Sequence, residues 1–328
     1  MSTTETHVTH GEHLNLAAES FFDTFQPELE ELFTILDSQS QWSDNLADIV
    51  EDTQPWVKGD HFSPESPAKL DNDQSAAAKE IYTKMGLVEA VPIPEGEYDQ
   101  IIVLGGMQRA NELRLSFLKD ALQSESVSLK ADGGIILWGG RRPLNKQLET
   151  WFVHKAKADI DDQPLAGTDP WFNAMRHNRP SLSETELMRL AGLHNLGNLS
   201  LHRAHLRFGS ATVPISRYEL LGDHYDITLL NTPAVQRPQG EPRHTTEACA
   251  QQWLEDVPPP DNARVAFVSS NPYIRRTARV VSEVLSQNGR QDVRLVAAGP
   301  AAYPDSNKDY LFLGEIARNL YEDSKQTI

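Results

Sequence analysis

Three stretches of the chain place glycine or small hydroxyl and amide residues just ahead of arginine. Gly105 and Gly106 precede Gln108 and Arg109; Gly139 and Gly140 precede Arg141 and Arg142; Ser269, Ser270 and Asn271 precede Tyr273 and Arg276. Glycine lets a backbone approach a bound group closely, and arginine offers a fixed positive charge on a planar fork of donors. Together these residue types suit an anion such as a phosphate or a carboxylate. Neither Gly-x-Gly-x-x-Gly nor a P-loop is present, so the usual dinucleotide and ATP fingerprints are missing. Each cluster also has a reading without a ligand: a tight strand-to-helix turn for the glycine pairs, and helix capping for Ser269, Ser270 and Asn271.

A second polar block, Glu241, Arg243, His244, Thr245, Thr246 and Glu247, stands ahead of an amphipathic stretch, with Thr245 or Thr246 as the natural N-cap. Glu241, His244 and Ser270 are the candidates for catalysis, and Glu149 joins the ligand-binding candidates. His194, His202 and His205 read as ordinary surface or core histidines, since no HExxH and no adjacent carboxylate accompany them. No metal site is expected. The aromatic and basic stretch DPWFNAMRHNRP suits a lid, a purine cover or a partner surface.

The elements that must position these residues follow from apolar patterning. Short runs, IIVLGG (101–106), GIILWGG (134–140), YDITLLN (225–231), RVAFVSS (264–270) and VRLVAAG (293–299), are apolar throughout, as suits strands covered on both faces. Amphipathic segments follow: MQRANELRLSFLKDAL, LNKQLETWFVHKA, TTEACAQQWLEDV, IRRTARVVSEVLSQNG and DYLFLGEIARNLYEDS. Strand and helix in alternation predict right-handed crossovers and a Rossmann-like, three-layer αβα domain over 98–328, with a mostly parallel sheet of about five strands. An insertion at about 158–223 shows no clear strand; a capping signal before LMRLAGLHNLG makes part of it helical. Ligands of such sheets lie outside the carboxyl ends of the strands, where strand order reverses, and the candidate residues fall there.

Residues 1–98 carry 20 Asp and Glu against 4 Lys, while the other 230 residues are nearly balanced at 27 against 26, within a net charge of −17. The acidity belongs to a helical N-terminal region, 1–97, whose first residues read as a frayed tail. Such a surface opposes binding to a nucleic-acid backbone. It suits a basic protein partner, and that sets the competing reading: a non-catalytic interaction protein on a Rossmann-like scaffold. No run approaches the roughly 20 apolar residues of a membrane span, and the first residues lack a secretory pattern, so a cytoplasmic protein is expected. Cys249, the single cysteine, allows no intrachain disulfide, and its place in the apolar phase of a helix makes it a buried structural thiol.

The segments IIVLGG, WGGRRPL with Glu149, EPRHTTEACA and VSSNPYIRRTARV, in that order, resemble the YdcF-like family, also called domain of unknown function 218, with its SanA- and ElyC-like relatives. Gly105, Gly106, Glu241, Thr245, Ser270 and Arg276 match its pattern. His244, Ala248 and Tyr273 depart from it, standing where the family has Asn, Asn and His. The signal anchor of the SanA- and ElyC-like branch is missing. The resemblance implies a Rossmann-like domain with S-adenosylmethionine or a nucleotide-like, phosphorylated metabolite as ligand. The resemblance does not fix a reaction; if the protein is an enzyme, transfer or hydrolysis at an anionic group is the class expected. Tyr273 is a poor substitute for a general base, since an ordinary phenol titrates near 10.

Overall fold

The computed structural model describes residues 19–36, 42–57, 70–140, 184–196, 217–221, 226–233, 235, 244–302 and 309–326. Its centre is a Rossmann-like sheet of six strands: β1 (Gly96–Val103), β2 (Val127–Gly140), β3 (Arg217–Leu221), β4 (Asp226–Thr232), β5 (Arg264–Val268) and β6 (Arg294–Ala298). Their order is β3-β4-β2-β1-β5-β6. All neighbours run parallel except β3, which lies antiparallel to β4 on the edge. The sequence shows no clear strand in the insertion, yet β3 lies there. A short edge strand paired on one side needs no doubly apolar run, so it leaves little pattern.

The uniform apolarity of the central strands has a direct cause. Ile101 and Val103 of β1 point into a core with Leu115, Leu118, Met188 and Ala191, whereas Ile102 and Leu104 point into the opposite one with Trp253, Ala278 and Val281. The first face is covered by α5 (Gln108–Gln123) and α6 (Glu184–Asn195), the helix of the insertion; the second by α7 (Thr246–Asp256) and α8 (Ile274–Gln287). The indole of Trp253 donates to Gln100 Oε1 (2.8 Å), which ties α7 to β1 inside the second core.

The N-terminal helices α1 (Phe21–Thr24), α2 (Gln26–Ile35), α3 (Leu46–Val57) and α4 (Asn72–Lys84) share a third core with the last helix, α9 (Asp309–Gln326). Phe21, Leu29, Leu32, Ile49 and Ile81 are buried there against Leu313, Ile316 and Leu320. Val91 and Gly299 exchange backbone hydrogen bonds just past the end of β6. The acidic region is therefore packed onto the sheet domain through α9. No helix among the described residues is long and apolar enough to cross a membrane.

Candidate functional site

The chain passes from β1 to β2 on one side and, after β4, returns to β5 on the other, so strand order reverses between β1 and β5. Crevices at such reversals take ligands in open parallel sheets. Arg114, from α5, spans this one. Its guanidinium donates to the carbonyl oxygens of Leu104 (2.6 Å) and Gly105 (2.8 Å) at the end of β1, and to Ser270 Oγ (2.9 and 3.3 Å) at the end of β5. The side chain is buried, and Asn111 one turn earlier donates to the Gly106 carbonyl (3.0 Å). A buried positive charge thus bridges the ends of β1 and β5.

Above β5 lies a second group of charges. Arg276 Nε donates to Glu315 Oε1 of α9 (2.6 Å), and Arg318 Nη1 lies 3.4 Å from the other carboxylate oxygen. Glu315 is fully buried, while Arg276 and Arg318 keep 24% and 21% of their side chains exposed. Burial alone would lower the pKa of Arg276, but the charge and hydrogen bond of Glu315 outweigh it and raise it; for Arg318 burial wins. Tyr273 sits among them. Burial pushes its phenol up to about 12, Glu315 adding to the rise and Arg318, Arg114 and Arg276 opposing it. A phenol so placed is a neutral hydrogen-bonding group at neutral pH, not a base.

The two helices that follow β1 and β5 combine a missing side-chain cap with arginine in the first turn, whereas α2, also without a side-chain cap, carries Glu28 there. α5 follows β1 with Met107 as its N-cap, α8 follows β5 with Tyr273, and neither cap makes a side-chain hydrogen bond to the helix. Neither has an acidic residue in its first turn; Arg109 stands in that of α5, and Arg275 and Arg276 in that of α8. By contrast α7 is capped by Thr245 and α4 by a capping box of Asp71 and Gln74, each with an acidic residue in its first turn.

The paired glycines serve the protein's own packing. A Cβ on Gly105 would overlap the Trp138 carbonyl of β2, and one on Gly140 would overlap the His244 ring. Gly139 makes room for the backbone of Thr185, 2.7 Å from where its Cβ would lie. These close approaches bring the start of α6 onto the strand ends. Glu184 Oε1 lies 3.2 Å from His244 Nε2, and Thr185 donates to Asn231 Oδ1 of β4 (2.8 Å). Gly140 has the strand parity of Trp138, on the α7 face, and Gly105 that of Val103, on the α5 face. The His244–Glu184 pair therefore spans the carboxyl ends of β1 and β2, from one face of the sheet to the other.

Among the other sequence candidates, Gln108 donates to Glu112 Oε1 (2.8 Å), and Arg109 is exposed. Ser269 is fully buried beside β6. Asn271, expected at a ligand, donates instead to the carbonyls of Gly86 (3.0 Å) and Glu89. Arg141, Arg142, Glu149, Glu241, His202, His205 and the DPWFNAMRHNRP stretch lie outside the described residues, as does the side chain of His194. Cys249 is buried. Among the described residues no three His, Cys, Asp or Glu side chains are grouped to hold a metal.

Sequence reasoning missed Arg114, Glu184, Glu315 and Arg318. The signal for two of them was there: Arg114 shares the buried stripe Asn111, Leu115, Leu118 and Leu122, and Glu315 shares that of Phe312, Leu313 and Ile316. A charge in the core phase of a helix has to meet a partner. Compared with known proteins, the chain matches no family model, no curated protein and no solved structure.

Proposed function

We propose that this protein binds a small anionic ligand in the crevice between β1 and β5. The observation that carries this reading is the pair of uncapped helix starts, α5 and α8, each with arginine in its first turn. Arginine at a helix N-terminus opposes the macrodipole, and the first N–H groups there need acceptors. An anion between the two helices supplies acceptors for those N–H groups and a negative charge facing both dipoles and the arginines. Arg276 and Arg109 are its side-chain partners, and Arg114 supports it from below. The ligand classes that fit are a nucleotide, S-adenosylmethionine through its carboxylate, or another phosphorylated metabolite. A YdcF-like assignment, supported by the order of short motifs along β1, α7, β5 and α8, belongs to the same reading. Transfer or hydrolysis at the anionic group is the reaction class proposed, with His244 as its acid–base group.

Substitution of Arg276 by Ala tests this. Calorimetric titration with pyrophosphate, nucleotides, sugar phosphates and S-adenosylmethionine should show at least one that binds the wild-type chain and binds R276A at least tenfold more weakly, about 1.4 kcal/mol. Equal affinity in a folded variant removes Arg276 from the site.

A further inference from the structure

We propose that the N-terminal helices position the arginine wall of the crevice, so that their docking and anion binding are coupled; this rests on the anion reading above. The wall is the segment from Asn271 to Arg276, and three ties hold it to parts of the chain outside the sheet. Asn271 Nδ2 donates to the carbonyls of Gly86 and Glu89, in the connection after α4. Arg275 Nη2 donates to the Glu19 carbonyl ahead of α1 (2.8 Å), and its guanidinium lies 5.4 Å from the ring centroids of both Phe21 and Phe25. Arg276 is held by Glu315, on the helix that carries Leu313, Ile316 and Leu320 into the core of the N-terminal helices.

One turn further along α8 the pattern repeats. Arg279 pairs with buried Asp323 of α9, and the same carboxylate accepts from Ser20 Oγ (3.1 Å) and the Phe22 backbone N–H (2.8 Å) at the start of α1. Adjacent arginines of the first turn of α8 therefore serve opposite ends of one lever: Arg275 reaches α1, and Arg276 reaches α9 and the crevice. An anion that binds the start of α8 needs that turn held in place. When α1 is docked the ordering is already done; when α1 is loose the ligand must supply it and binds more weakly. Reciprocity then requires the ligand to tighten α1.

The test is calorimetric titration of the full chain with pyrophosphate in wild type, R275A, F25A and I227V. Phe25 is uncharged and packs on α1 and Arg275. Its removal loosens the tie without changing the charge at the crevice. Ile227 of β4 lies in the core on the α5 face, so I227V controls for a general loss of stability. Both R275A and F25A should lose at least fivefold in affinity, with I227V within twofold of wild type. Wild-type affinity in F25A overturns the coupling. Where pyrophosphate does not bind the wild-type chain, the member of the panel above that does bind replaces it; no binding of any member overturns the anion reading itself, which separates the two failures. If F25A does not fold, amide exchange of the wild-type chain decides: pyrophosphate should slow exchange in residues 19–36, and unchanged exchange there overturns the proposal.

Discussion

Cys249 and Tyr273 are the two side chains whose proton affinity the fold changes most legibly near the site. Burial pushes the Cys249 thiol from 9.0 up to about 12, the nearby Thr232 hydroxyl opposing the rise and the Glu184 carboxylate adding to it. Because the folded chain holds this proton more tightly than the unfolded one, the stabilisation is complete below pH 9 and is lost as pH climbs towards 12. Tyr273 behaves alike between 10 and about 12. The thermal midpoint should therefore fall once pH passes about 9, and in Cys249→Ala the fall should begin about a unit later; identical profiles would contradict the assignment. Arg276 stood out in the sequence because it follows a strand end. Its partner Glu315 was not, since it comes from α9, thirty-nine positions on.

At the scale of elements, Met107 holds extended N-cap geometry (φ −63°, ψ 157°) with its side chain 37% exposed, where Ser or Asp would ordinarily cap a helix of 16 residues. Met107→Asp should stabilise the chain by about 1 kcal/mol, measured by urea unfolding, and at the same time weaken pyrophosphate binding, because the new carboxylate takes the N–H groups meant for the ligand. A gain in stability with unchanged binding would move the anion away from α5. The central strands were legible because burial on both faces leaves an unbroken apolar run. The first half of β2 was not, since Lys130, Ala131 and Asp132 are exposed there. β3 escaped for the same reason, an edge place that demands little of its sequence. The glycine pairs were seen, but not the neighbours they make room for: Trp138 at Gly105, Thr185 at Gly139 and His244 at Gly140.

For the whole molecule, the charge asymmetry set the N-terminal region apart as acidic, yet hid how it is joined. Its apolar faces are spent on α9, and a chain cut at residue 98 would uncover Leu313, Ile316 and Leu320. Composition cannot show this, because the two halves of that core stand more than two hundred residues apart. The region is thus packed on the same helix, α9, whose Glu315 holds Arg276. If an anion sits where α5 and α8 begin, amide exchange read by mass spectrometry with and without pyrophosphate should show protection concentrated in residues 104–112 and 269–277; binding with no protection in either segment would place the anion elsewhere.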